Sequence, residues 1–331
     1  MGRVPWNTAV MRSRAASAVT LAVMLAGCTA QAPTPAPTPS AAGGSWRVLA
    51  PAPTTRTEVV AAASGDRVYV VGGLRTGGDS LAAVEVFDTA AGTWAAGPDL
   101  PVAVDHAMAT TVDGVVHVFG GYLDNGTPSD RAFRLDGDAW RDVAALPEGR
   151  AAGTAAAHGK AVYVAGGIGP DGLAREMLVY DAAADRWSTA PGPPTPREHL
   201  GGAGFGGLVY TVGGRVGGLG GNLDAFEAYD PGTRRWTTLP PLPTARGGLS
   251  AAATCNGLVV AVGGEEKATF AEAEAYDVRA GRWRTLAPLP TPRHGLGVVA
   301  IGATLYTFAG GPHPGLNVAD VTEAIDLGAC G

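Results

Sequence analysis

Charged residues are scarce in this chain: Lys, Arg, Asp and Glu together make up 16% of 331 residues, against 46% apolar. Disorder requires the opposite balance, low hydrophobicity with high net charge, so a packed core is expected. Positive charge is scarcer still, with 24 basic against 30 acidic residues and a formal charge of -6. That excludes the basic footprint of a nucleic-acid binder. Glycine does not recur at every third position, which rules out a collagen-like helix. No nucleophile elbow, phosphate-binding loop or His-Glu-x-x-His segment is present, so the common short signatures of hydrolases, nucleotide binders and zinc proteases are missing. What is abundant is glycine, 50 residues, and proline, 25 residues, the two worst residues for a helix interior. The composition points to an all-β fold of many short strands.

The first 27 residues contain Arg3, Arg12 and Arg14 and no acid, followed by the apolar stretch Ala15 to Ala26. This is a charged n-region and an h-region too short to span a bilayer. Leu25-Ala26-Gly27-Cys28 resembles the lipobox of bacterial lipoproteins, which implies cleavage before Cys28, lipidation of that cysteine, and an exported protein anchored to the outer side of the cell membrane. Met11 to Cys28 alone would be a complete signal of this kind. Residues 28–44, with their alternating prolines, read as an extended tether. Loss of residues 1–27 removes three of the 24 basic residues and none of the 30 acids, which leaves 21 - 30 = -9. An acidic body would then touch the membrane only through its lipid.

Residues 45–331 are one unit written six times. Glycine doublets fall at Gly72-Gly73, Gly120-Gly121, Gly166-Gly167, Gly213-Gly214, Gly263-Gly264 and Gly310-Gly311. Trp46, Trp94, Trp140, Trp187, Trp236 and Trp283 keep the same rhythm, as do the strand-ending acids Asp88, Asp136, Asp181, Asp230, Asp277 and Asp326. A period near 47 residues marks a repeat architecture, and four short strands per unit, repeated radially, give a β-propeller. The apolar strand ending in Gly-Gly, the apolar-Asp ending and the following Trp resemble the kelch repeat, which implies a six-bladed kelch-type propeller. The last unit lacks a Trp strand and the body opens with an orphan one around Trp46. That segment is expected to complete the sixth blade and close the ring. The Trp and Tyr residues are expected to pack between blades, and Glu85, Glu227, Glu274 and Glu323 to act as blade-to-blade hydrogen-bond anchors.

One face of such a ring collects the loops between strands two and three and the linkers into each next blade. Arg56, Arg150, Arg197, Arg246 and Arg293 each precede a doublet by 16 or 17 residues and would form a basic mouth for carboxylates or phosphates. They could equally belong to the fold, bonded to carbonyls or acids. Near them lie Glu58, His106, Glu198, His199, His294 and His313. Four histidines on one face raise a metal site, but they come from three blades without ligand-like spacing, so neither metal nor other cofactor is expected. Cys255 and Cys330 fall on the opposite face of adjacent blades, where an exported chain could join them.

Function is then read as a monomeric module that binds an acidic small molecule, a glycan or a protein on the face marked by Arg56, Arg150, Arg197, Arg246, Arg293, His106, Glu198, His199 and His294, with no catalytic residue assigned. The kelch resemblance offers two alternatives: an enzyme resembling N-acetylneuraminate epimerase, with Glu58 or Glu198 beside Arg56 or Arg197 as the working pair, or a purely structural surface protein.

Overall fold

The computed structural model describes residues 44–331. The signal, Cys28 and all but the last residue of the tether lie outside the described residues. The rest is all-β: six four-stranded antiparallel sheets, plus a two-stranded ribbon of Ile168–Gly169 and Gly172–Leu173. Blade one is Val60–Ser64, Arg67–Val71, Val84–Asp88 and Thr93–Ala96, paired in chain order from the axis outward. The innermost strands that follow are Met108–Val112, Thr154–His158, Gly201–Phe205, Ser250–Ala253 and Gly297–Ile301. Each neighbours the next, and the sixth neighbours the first.

The ring closes through its ends. Trp46–Val48 is the outer strand of blade six, with Trp46 opposite Ile325, Arg47 opposite Ala324 and Val48 opposite Glu323. The register gives blade six the same strand count as its neighbours and covers the edge of Thr322–Asp326.

Three repeated features hold blade to blade. Each Trp indole N–H donates to a carbonyl at the end of the preceding blade's outer strand: Trp94 to Ala50, Trp140 to Pro98, Trp187 to Ala144, Trp236 to Pro191, Trp283 to Pro240, and Trp46 to Ala287, at 2.7–2.9 Å. Aromatic edges meet across the same seams, as in Phe308 with Trp94 and Phe226 with Trp283. Full burial of a ring such as Phe308 or Phe226 contributes roughly 2–3 kcal/mol, and the half-buried Trp rings contribute less. The doublets form the third contact. The second doublet position donates its N–H to the carbonyl of the next blade's arginine position, from Gly73 to Val104 around to Gly310 to Arg56. A Cβ on Gly120 would lie 2.0 Å from the Arg150 carbonyl oxygen, so this approach requires glycine.

The structure shifts one register. In blade six the bond to Arg56 comes from Gly310, and Ala309, at φ 53°, holds the place of the first glycine. The working doublet there is Ala309-Gly310, and Gly311 occupies the following position.

Cys255 and Cys330 are joined by a disulfide, with Cα atoms 5.3 Å apart. It ties the turn of blade five to the segment after the last strand, beside a bond from the Asn256 amide to the Leu327 carbonyl.

Candidate functional site

The five arginines do not line a mouth. Arg56, Arg150, Arg197, Arg246 and Arg293 are all 0% exposed. Arg56 pairs with Glu85 at 2.8 Å, Arg197 with Glu227 and Arg293 with Glu323 at 2.6 Å, and Arg246 with Glu274. Their guanidinium groups also donate to carbonyls of the first doublet position, as Arg56 does to Gly72 and Arg246 to Gly263. Burial pushes the guanidinium pKa down and the paired glutamate opposes it. A buried, paired guanidinium is part of the fold, so the basic-mouth expectation is corrected for all five.

Two blades vary the scheme instructively. Blade three has Leu178 where the others carry the glutamate, and Arg150 turns to Glu148 of its own linker. Blade two lacks both partners: Val104 and Phe133 take the two places and pack in one apolar cluster.

The face itself is built from the residues that flank these arginines. Two positions after each arginine position stands a residue in the left-handed conformation: Glu58, His106, Ala152, His199, Gly248 and Gly295, with φ between 51° and 69°. Their backbones form a closed circuit. His106 N–H donates to Glu58, Ala152 to His106, His199 to Ala152, Gly248 to His199 and Gly295 to Gly248, at 2.8–3.0 Å, and Val59 completes it onto Gly295. The circuit rims a central channel of about 370 Å³, walled by small residues such as Ala61–Ala63, Ala155–Ala157 and Ala251–Ala253. Just outside it, the residue after each arginine position bridges the residue after each doublet: Thr57 to Leu74, Asp105 to Tyr122, Ala151 to Ile168, Glu198 to Arg215, Gly247 to Glu265 and His294 to Gly311.

Glycine meets the left-handed requirement without strain in blades five and six, whereas blades one, two and four place Glu58, His106 and His199 there. Non-glycine residues in this region are uncommon and cost on the order of 1–3 kcal/mol. Their side chains converge. Glu58 Oε2 is 3.2 Å from His106 Nε2, and Glu58 Oε1 is 3.1 Å from His294 Nδ1. The rings of His106 and His199 lie edge to face at 4.7 Å, and Tyr122 abuts His106. His106 Nδ1 bonds Asp105 and His199 Nδ1 bonds Glu198. Arg215 joins Glu198 at 3.2 Å to Glu265 at 2.8 Å. One ligand atom each from Glu58, His106 and His199 lie within 4.8 Å of one another, and so do those of Glu58, Glu265 and His294.

The electrostatics follow from this crowding. Burial would raise the Glu58 carboxyl, but His106, His294 and His199 together hold it far below the usual range. Burial opposes charge on His106, yet Glu58 and Asp105 leave its pKa raised; His294 is raised the same way by Glu58 and Glu265. Burial dominates at His199 and lowers it despite Glu198. Tyr122 is pushed up to about 12 by burial, then by Glu198 and Asp105.

Of the residues expected at the site from sequence, His106, Glu198, His199 and His294 meet here together with Glu58. His313 contributes a backbone carbonyl to His294 Nε2 at 3.1 Å. Tyr122, Arg215 and Glu265 join them, and no motif in the sequence marks these three. Their signal is positional: each directly follows a doublet, and reading that column across the six units exposes them.

Among known proteins, a family model described as the KLHDC2/KLHL20/DRC7 Kelch-repeats domain matches residues 106–311, and the Kelch motif matches residues 55–101. The Kelch-like protein terF of Aspergillus terreus is 30% identical over 179 residues, 48% of this chain and 39% of that protein. Kelch-like protein 41b of Danio rerio is 27% identical over 173 residues, 51% of this chain and 28% of that protein. Kelch-like protein 35 of Mus musculus is 31% identical over 151 residues, 45% of this chain and 25% of that protein. The chain spans less than two-fifths of the length of these relatives.

Proposed function

The chain belongs to the kelch-repeat family, and on that premise we propose that it is a binding propeller that takes its ligand at the channel mouth bearing Glu58, His106 and His199. One observation carries this reading. At a position where glycine suffices in two blades, three others accept a strained backbone to present ionisable groups to one point. The surrounding loops add apolar contact: Val216, Leu219 and Leu316, between strands two and three of blades four and six, are exposed. The mouth also carries Asp105, Glu198 and Glu265 against Arg215, so it suits a polar ligand with donors better than a simple anion.

Capture from envelope extract tests the reading. The wild-type chain is expected to retain a specific ligand or partner that is lost when Val216, Leu219 and Leu316 are changed to Asp. Capture by that variant at the wild-type level would place the working surface elsewhere.

The protein works, in this proposal, from the outer side of the cell membrane, held by a lipid on Cys28. Leu25-Ala26-Gly27-Cys28 supports that. Cys28→Ser is expected to abolish incorporation of labelled fatty acid and release the propeller from the membrane fraction. Unchanged labelling would rule it out.

Acid–base chemistry on a small sugar is a second reading, favoured by Glu58 lying between His106 and His294. Arg56 and Arg197 cannot serve it, being buried in ion pairs. Accelerated anomer exchange by NMR would select this reading over binding alone.

A further inference from the structure

We propose that Glu58, His106 and His199 form a binding site for a divalent transition metal of the zinc class at the mouth of the channel. The proposal goes beyond ligand binding and does not depend on which ligand or location the protein has.

Two imidazoles and one carboxylate are a donor set suited to first-row divalent ions. The spacing fits: Glu58 Oε2 and His106 Nε2 are 3.2 Å apart, close to the about 3.4 Å between two ligands held at about 2.1 Å in tetrahedral geometry. One ligand atom from each of Glu58, His106 and His199 lies within 4.8 Å of the other two.

The supports of the two histidines are stronger grounds. A metal-bound histidine donates its other nitrogen to a carboxylate, which fixes the ring and its tautomer. Both histidines here do so. His106 gives Nδ1 to Asp105, which Ser80 holds through its hydroxyl at 2.6 Å. His199 gives Nδ1 to Glu198, which Arg215 holds at 3.2 Å. Each ring is left with Nε2, and that of His106 lies 3.2 Å from Glu58 Oε2. The other oxygen of Glu58 accepts from His294, so Oε2 is the one left beside His106.

The alternative triple is committed elsewhere. Glu265 receives Arg215 at 2.8 Å on one oxygen and the Gly315 N–H at 2.8 Å on the other. His294 faces Glu58 with one nitrogen and the His313 carbonyl with the other. A nitrogen facing a carbonyl oxygen must donate, so His294 serves as a charged clamp on Glu58.

His106 and Glu58 attract one another at 3.2 Å when no metal is bound, and a metal ion would take both as deprotonated ligands. Binding is therefore accompanied by proton release. Three protein ligands would leave further coordination positions for water or a ligand, and all three residues line the channel.

Cobalt(II) and zinc(II) are the probes, added to the untagged full chain after chelator treatment. One equivalent of cobalt is expected to bind, with visible d–d absorption that zinc abolishes. His106→Ala and His199→Ala should each remove that absorption, and His313→Ala should not. Asp105→Asn, which leaves all three ligands in place, should weaken zinc affinity about 10- to 100-fold. Circular dichroism melts distinguish a folded, metal-blind variant from an unfolded one. If the wild-type chain binds no cobalt, if its absorption survives in folded His106→Ala, or if it is lost only in His294→Ala, the proposal is overturned.

Discussion

Arg197 and Glu227 show how a conspicuous residue type can mislead at the scale of the single side chain. Five arginines in phase resemble a ligand trap, yet each is enclosed and bonded, and blade two dispenses with the pair by using Val104 and Phe133. A buried ion pair and an apolar pair of similar volume can be nearly equivalent, whereas half a pair is costly. Arg197→Val alone is therefore expected to destabilise by about 3–5 kcal/mol, because Glu227 is left buried and uncompensated. Adding Glu227→Phe should restore most of the loss, although it leaves the Thr195 hydroxyl without its partner. Denaturant unfolding of both variants checks this, and a double variant no more stable than the single would contradict it. Asp185 acts by a different route, from the surface. It accepts the Ala144 N–H and the Tyr180 hydroxyl, each at 2.8 Å, and these bonds hold its carboxyl below the usual range. A lowered folded pKa gives stability that is present above the unfolded value and lost as pH falls through the folded one. Asn also tolerates this left-handed position, so Asp185→Asn should lower the melting temperature at pH 7 and make little difference near pH 2. An equal deficit at both values would assign the effect to something other than the carboxylate.

At the scale of strands and blades the sequence was most legible. Trp, doublet and Asp recur because each performs one local task that every blade repeats: a bond to the preceding blade, close approach of the following linker, and a turn cap such as that of Asp88 on the amides of Ala90 and Ala91. Repetition made the closing strand visible as the missing item of the last unit. It also hides a one-residue shift in blade six, where Gly310-Gly311 looks like the other doublets while Ala309-Gly310 does their work. Removing residues 45–53 deletes the outer strand of blade six and the Trp46 bond to Ala287. A sharp drop in melting temperature is expected, and an unchanged melt would mean that the ring closes without it. The disulfide fixes the same seam from the other side. It spans 75 residues, for which the chain-entropy model gives about 4.5 kcal/mol. Peptide mapping without reduction should recover Cys255 and Cys330 linked, and Cys255→Ser should lose stability of that order. Separate free thiols would refute the link.

At the scale of the whole molecule, the site was only half legible, because it exists only once the ring has closed. Glu58, His106 and His199 are far apart in the chain and meet solely because six linkers converge on one axis; no spacing rule for metal or catalytic residues applies to such a set. What could be read was the face. What could not be read was depth, which sends the arginines inward and leaves their neighbours at the rim. The left-handed circuit adds a consequence for stability. Of the four strained side chains at these positions, Ala152 brings no chemistry, while Glu58, His106 and His199 converge on one point, and it is that convergence that suggests a role beyond stability. His199→Gly tests this directly, because Glu198 keeps Arg215 in that variant and water can fill the channel mouth. In chelator-treated buffer, where metal cannot stabilise the folded state, the variant should be more stable than the wild type by about 1 kcal/mol, the relief of strain less the entropy cost of glycine. With zinc added, the order should reverse, because only the wild-type chain keeps all three ligands. Equal or lower stability of the variant in chelator would show that His199 serves the fold, and would remove the strain argument for the mouth.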